Sequence, residues 1–211
     1  MKKLVLIVSL ITFSIFAIPQ QELPPPYDKA EILPFCSHGF YLNEHQLAAL
    51  IASKNIKTIV EVGCWLGLST RHLARCLPKD GTVYAVDHWK GSSEHQPGQT
   101  YWIPQLPQLY EYFLSNAIQE GVAHKIVPVR MDSLEAAQTL HLQVDLIYID
   151  ASHDTESVYR DIVAWYPHLN ADGVMCGDDW GWGSIQVAVN RFAKERGLQI
   201  KASGNFWELV K

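Results

Sequence analysis

Three aspartates and a histidine stand where a cation and a proton could be handled together. Asp150-Ala151-Ser152-His153 follows the apolar run Val144 to Ile149, and Asp178-Asp179 follows the run Gly173 to Cys176. If those runs are neighbouring strands, Asp150, Asp178 and Asp179 converge, and three carboxylates without cations repel one another strongly. A hard divalent cation relieves that repulsion, Mg²⁺ first among them, in an all-oxygen site completed by water and substrate. The competing reading is that the aspartates cap the helices expected near Glu156 and Ser184. His153 has the side chain whose ordinary pKa suits taking a proton from a hydroxyl already acidified by a metal. Without the carboxylates beside it, it would read as a loop histidine bonded at a helix start.

A second group points to a small nucleoside-bearing ligand. In Glu61-Val62-Gly63-Cys64-Trp65-Leu66-Gly67-Leu68-Ser69 a glycine turn leads from an apolar run straight into a helical pattern. Gly63 and Gly67 permit close backbone approach, and the helix start at Ser69 offers unpaired N–H donors. Trp65 occupies the place of the second glycine in a dinucleotide fingerprint, so a cofactor without phosphates fits better than a dinucleotide. A loop that merely joins strand to helix remains the bland alternative. Asp87 ends the run Thr82 to Val86 and could accept bonds from both hydroxyls of a ribose, or cap a turn. Asp132, after the run Lys125 to Val129, could face an adenine amino group or cap the short helix that follows.

These residues need strand ends to hold them. Six β-branched or apolar runs, at 58–63, 82–86, 125–129, 144–149, 173–176 and 206–210, read as buried strands. Helical patterns lie at 43–54, 69–77, 106–120, 133–139, 156–166 and 184–195, the first opened by Asn43 as N-cap with Gln46 three residues on. Continuous apolar strands alternating with helices imply a parallel sheet covered on both faces, an α/β doubly wound domain. Ligands in such sheets lie beyond the carboxyl ends of the strands, where strand order reverses. The long connection from Trp89 to Pro107 has the length to fold over an acceptor, and its aromatics, with Trp180 and Trp182, could stack on a ring.

The 211 residues carry 17 Lys+Arg against 22 Asp+Glu and are 48% hydrophobic, which is the profile of one globular domain. That composition excludes a disordered or collagen-like chain, and the acidic balance argues against a nucleic-acid partner. Met1-Lys2-Lys3, then an apolar run from Leu4 to Ala17, reads as a signal peptide over residues 1–17 that directs export. An uncleaved anchor through residues 4–18 is the alternative, although the run is shorter than the roughly 20 residues that span a bilayer. No other window is long and apolar enough to cross one. Residues 18–42 contain Pro19, Pro24, Pro25, Pro26 and Pro34 and read as an extended linker running onto a domain at 43–211. Of the four cysteines, Cys36 and Cys76 are the one pair worth testing for a disulfide.

Glu61-x-Gly63-x-x-x-Gly67, Asp87, Asp150-x-x-His153, Gly173 and Asp178-Asp179, in this order, resemble a class I S-adenosylmethionine-dependent methyltransferase. More narrowly they resemble the metal-dependent O-methyltransferases, including those acting on macrolide sugars and the cephalosporin-hydroxylase-like proteins. The resemblance implies a Rossmann-like fold with a mostly parallel seven-stranded sheet, helices on both faces and an antiparallel last strand. It implies that Glu61, Gly63, Trp65, Gly67, Ser69 and Asp87 hold S-adenosylmethionine, with Asp132 near the adenine. Asp150, Asp178 and Asp179 would hold Mg²⁺ or another divalent cation, and His153 would be the base. The implied partner is a small-molecule acceptor with a hydroxyl, and a second copy of the chain is an open partner. Three rivals stand beside it: a nicotinamide-dependent oxidoreductase, a metal-dependent hydrolase, and a non-catalytic exported binding protein whose pocket is blocked around Trp65.

Overall fold

A computed structural model of the protein describes residues 23–211. The signal peptide or anchor expected over residues 1–17 lies outside the described residues. The strands are β1 (Thr58–Val62), β2 (Thr82–Asp87), β3 (Ile126–Arg130), β4 (Val144–Ile149), β5 (Leu169–Gly177), β6 (Gln199–Ser203) and β7 (Phe206–Val210). The helices are α1 (Glu44–Lys54), α2 (Leu68–Cys76), α3 (Leu109–Gln119), α4 (Ser133–Thr139), α5 (Thr155–Trp165) and α6 (Gly183–Arg196). They form the doubly wound, mostly parallel seven-stranded sheet with helices on both faces, in the order β3-β2-β1-β4-β5-β7-β6, with β7 antiparallel to both its neighbours.

Alternation along each strand divides the core. Ile59, Val83, Ala85, Leu146 and Tyr148 face a layer containing Leu47 of α1, Leu73 of α2 and Phe113 of α3. Val60, Val62, Val86, Ile147 and Ile149 face the opposite layer, with Ile162 and Trp165 of α5 and Phe192 of α6. Both faces of the central strands are therefore dry, which is why their sequences read as unbroken apolar runs. β6 escaped that reading because four of its five residues are exposed, so it carries no apolar run.

Register brings the strand ends to one level. Val62 is opposite both Val86 and Ile149, and Ile149 is opposite Gly177. The next residues, Gly63, Asp87, Asp150 and Asp178, therefore emerge side by side at the β1/β4 reversal, the switch point of the sheet. The ladder continues into them, with Gly63 N donating to Val86 O at 2.9 Å, Asp150 N to Val62 O at 2.8 Å and Asp178 N to Ile149 O at 3.1 Å.

Residues 23–42 run extended apart from one 3-10 turn at Tyr27–Lys29, and they are not a free tether. Tyr27 is buried. Leu33 N donates to Ser115 Oγ at 2.9 Å, Cys36 N donates to Asn116 Oδ1 at 3.1 Å, and Asn116 Nδ2 returns a bond to Cys36 O at 2.8 Å. The segment is strapped along α3 by side chains that satisfy its backbone, as an extended chain outside a sheet needs. Asn43 precedes α1 without capping it. Its amide turns inward and donates to the Tyr148 hydroxyl at 3.2 Å. All four cysteines are free thiols, Cys36 and Cys76 included.

Candidate functional site

The β1–α2 loop is built from beneath. A Cβ on Gly63 would fall onto the carbonyl oxygen of Asp150, and one on Gly67 would meet the Phe113 ring at 2.8 Å. Both residues have positive φ, 88° and 78°, so the glycines are demanded by packing of the loop on its neighbours as well as by backbone conformation. Arg71 Nη1 and Asn116 Nδ2 both donate to Leu66 O, at 2.7 and 3.0 Å, pinning the middle of the loop.

Asp87 does more than wait for a ligand. Its Oδ2 accepts from the backbone N–H groups of Cys64 at 2.9 Å and Trp65 at 3.0 Å, and its Oδ1 accepts from Trp89 N at 2.7 Å. One carboxylate thus ties the glycine loop to the start of the β2–α3 connection. Trp65 sits at φ 49° and Trp89 at φ 52°. Non-glycine residues reach that region at a cost of about 1–2 kcal/mol. The Trp65 ring turns outward, packing on His95 with centroids 4.4 Å apart, while the buried Trp89 indole donates to Trp65 O at 2.9 Å. The loop is not blocked by Trp65. A cavity of about 370 Å³ remains open beside it, lined by Gly63, Trp65, Ser69, Asp87, Asp150, His153, Asp178 and Asp179 among others.

Glu61, by contrast, lies wholly buried under the loop, where it accepts from the Ser69 hydroxyl and has its Oε2 unpartnered. Burial pushes its carboxyl up to about 7. It shapes the loop from below and does not line the cavity. Asp132 is the N-cap of α4, accepting from Leu134 N at 2.9 Å. It also lines a second cavity of about 170 Å³ with Ser133, Arg160 and Asp161, and Gly63, Asp87, His88, Ala151 and Ser152 border both cavities. The two spaces together bend around the end of β1, and their size is that of a small-molecule site.

At the β4 and β5 ends the carboxylates gather as the sequence suggested. Burial and the charges of Asp178 and Asp179 raise the Asp150 carboxyl well above the usual range, and burial with Asp179 raises that of Asp178. Tyr148 OH donates to Asp178 Oδ2 at 3.3 Å, and Asp179 N donates to Asp178 Oδ1 at 2.6 Å. Asp179 itself is held at φ 60°, a third strained residue at this site. His153 lies between two acids. Its Nε2 is 3.0 Å from Asp179 Oδ2 and its Nδ1 is 2.9 Å from Glu94 Oε1, and these partners push its pKa up to about 9. The imidazole also stacks on Trp182, 4.9 Å between centroids at 21°. Glu94 was not singled out in the sequence; it lies in an aperiodic connection, and its contact with His153 spans 59 residues.

Three hard oxygen donors, none matched by a Lys or Arg, suit a divalent cation in their chemistry. Among the described residues, however, no group of three or more His, Cys, Asp or Glu side chains is arranged to hold a metal ion; Asp178 is bonded to Tyr148 and to Asp179 N, and Asp179 to His153.

Comparison with known proteins fits this geometry. A family described as a methyltransferase domain matches residues 60–180. Caffeoyl-CoA O-methyltransferase 1 of Zea mays is 32% identical over 58% of this chain and 42% of its own length. The Arabidopsis thaliana protein of the same name is 28% identical over 67% of this chain and 50% of its own. The chain thus spans half or less of the curated relatives it matches. Among solved structures, the O-methyltransferase TomG from Streptomyces achromogenes, in complex with SAM, superposes with a TM-score of 0.60 at 18% identity, covering 80% of this chain and 79% of that one.

Proposed function

The chain belongs to the methyltransferase-domain family that matches it over residues 60–180, and from that premise we propose that it transfers the methyl group of S-adenosylmethionine to a hydroxyl of a small molecule. The observation that carries this reading is the convergence of the β1–α2 glycine loop, Asp87 and the Asp150/His153/Asp178/Asp179 cluster on one cavity. A nicotinamide oxidoreductase needs no such acid cluster, a hydrolase needs no glycine turn with Asp87, and the open cavity beside Trp65 gives the non-catalytic reading nothing to rest on.

S-adenosylmethionine supplies an electrophilic methyl on a sulfonium. The loop residues Gly63, Trp65, Gly67 and Ser69 would form its floor, Asp87 would offer its remaining acceptor capacity to a ribose, and the cavity at Asp132 would take the base. Asp150, Asp178 and Asp179 would hold Mg²⁺ or another divalent cation after Asp178 and Asp179 turn from the protein partners they have here, and its chemistry is to lower the pKa of a bound hydroxyl. His153 would take the hydroxyl proton at Nε2 once Asp179 turns from it to the cation, which would also withdraw one of the two acids that raise its pKa, while Glu94 on Nδ1 would fix the ring and stabilise the imidazolium that results. Positioning of the acceptor by the cavity wall supplies much of the remaining acceleration. The basic and apolar residues 1–17 support export or anchoring of the enzyme.

Calorimetric titration with S-adenosylmethionine, then Mg²⁺, then chelator, tests the reading. The expected result is binding at about micromolar Kd, with methyl transfer lost in chelator and in Asp179→Ala. Absence of cofactor binding overturns the proposal, and unchanged turnover in chelator overturns its metal component alone.

A further inference from the structure

Around the mouth of the cavity, beyond the acids, the wall changes character. Phe40 and Leu42 come from the N-terminal strap, Trp65 from the β1–α2 loop, Tyr101 from the β2–α3 connection and Trp182 from the β5–α6 connection, and all of them line the same space. All but the half-buried Trp65 are also exposed, Phe40 at 80% and Leu42 at 72%. Scattered apolar residues need no explanation, but a contiguous aromatic rim contributed by separate segments marks a binding surface. Aromatic rings offer faces to planar ligands and, through their quadrupoles, to cations.

The charge of this wall is one-sided. Among the described residues no Lys or Arg lines the cavity, whereas Asp87, Asp150, Asp178 and Asp179 do, and Glu94 stands behind His153. Carboxylate and phosphate groups are ordinarily recognised by the forked donors of Arg or the ammonium of Lys. The four histidines that line it are otherwise engaged: His153 lies between two carboxylates at 2.9 and 3.0 Å, burial holds His95 below its ordinary pKa, and His38 and His88 each use Nδ1 as an acceptor, from Trp65 Nε1 at 3.4 Å and Lys90 N at 3.0 Å. With Asp150, Asp178 and Asp179 given to the cation, an anionic acceptor would still lose hydration here, meet no cationic side chain, and face the charges of Asp87 and Glu94.

We propose that the acceptor is a planar aromatic alcohol or phenol carrying no anionic group, so that carboxylated phenols and acyl-coenzyme A thioesters are excluded. This rests on the methyltransferase reading and separates this chain from the acceptor named in its plant relatives. A neutral ring or one bearing an ammonium group satisfies both the rim and the charge.

The test uses the full chain with saturating S-adenosylmethionine and Mg²⁺, and four probes sharing one hydroxylated ring: catechol, dopamine, 3,4-dihydroxybenzoic acid and caffeoyl-coenzyme A. Cofactor binding is first measured by calorimetry without acceptor. Expected is kcat/KM for catechol and dopamine about tenfold or more above the acid and the thioester. An equal or greater value for either anionic probe overturns the proposal, and so does cofactor binding with none of the four methylated. Absence of cofactor binding overturns instead the reading beneath it, and the proposal falls with it. Phe40→Lys places a cation on the rim at a solvent-exposed position where folding is not at stake. It should raise the kcat/KM of the acid relative to catechol about fivefold or more. An unchanged ratio would remove Phe40 from the acceptor wall and overturn the charge argument.

Discussion

Replacing Asp87 by alanine separates two roles that one carboxylate could play. If Asp87 served only a ligand, the ligand-free protein would not notice its loss. The structure instead gives it three backbone N–H donors, from Cys64, Trp65 and Trp89, at 2.9, 3.0 and 2.7 Å. A hydrogen bond to a charged group contributes about 1.5–3 kcal/mol, so a strict sum would reach roughly 5–9 kcal/mol. The sum is too large, because bonds sharing one acceptor are not additive and the side chain is 13% exposed, which lets water recover some of the orphaned donors. A loss of about 3 kcal/mol is therefore expected. For a chain of this size each kcal/mol moves Tm by about 2–4 °C, so Tm should fall by about 6–12 °C without any ligand. Urea unfolding and thermal scanning of the ligand-free protein measure it, and calorimetry with S-adenosylhomocysteine measures affinity in parallel. An unfolding midpoint within about 1 °C of wild type, with affinity alone reduced, would refute the anchoring role.

Other perturbations follow from the same geometry. Glu61 titrates near 7 in the folded chain against 4.5 as its ordinary value, so between those pH values the unfolded chain releases a proton that the folded chain keeps, and stability falls as pH rises. Glu61→Gln should lose that dependence, gaining on wild type by about 3 kcal/mol between pH 4 and pH 8 in urea titrations, and a pH-independent difference would contradict it. Glu94→Ala removes the tie from the β2–α3 connection to His153; hydrogen exchange across residues 92–102 should quicken and acceptor KM rise about tenfold, with cofactor affinity nearly unchanged. Neither change would mean that Glu94 contributes no positioning. Trp65→Ala and Trp65→Gly both delete the ring, but only glycine relieves φ 49°, so the glycine variant should be the more stable by about 1 kcal/mol. Equal stabilities would show that the loop relaxes once the ring is gone.

How much of this was legible in the sequence depended on whether a residue adjoins a periodic element. The central strands announce themselves because both faces are dry, and their ends locate Gly63, Asp87, Asp150, Asp178 and Asp179 by counting alone. What counting cannot supply is the orientation of backbone N–H groups, so Asp87 was legible as a strand-end acid but not as the anchor of the glycine loop. Asp132 offered two readings, and the structure shows its cap directly while also placing it on the smaller cavity. Glu94 had no signal at all. The prolines of 23–42 declared an extended chain but not where it docks. A faint signal for that lay in Ser115 and Asn116, polar residues that are fully buried on α3 and therefore need partners.

The site thus has two halves with different physical origins, and Asp87 and Asn116 are among the side chains that join them. The cofactor half is set by register: Val62 opposite Val86 and Ile149 fixes where the loop and the acids emerge, and no local substitution moves it without breaking the ladder. The acceptor half is assembled from the strap and two connections that carry no ladder. Asn116 spans the two, its Nδ2 donating to Cys36 O in the strap at 2.8 Å and to Leu66 O in the glycine loop at 3.0 Å. Because that amide is buried, neither carbonyl could shed it without an unpaired polar group. Movement of the strap that carries Phe40 is therefore opposed by the same bonds that hold the glycine loop, and the acceptor wall and cofactor floor share one constraint.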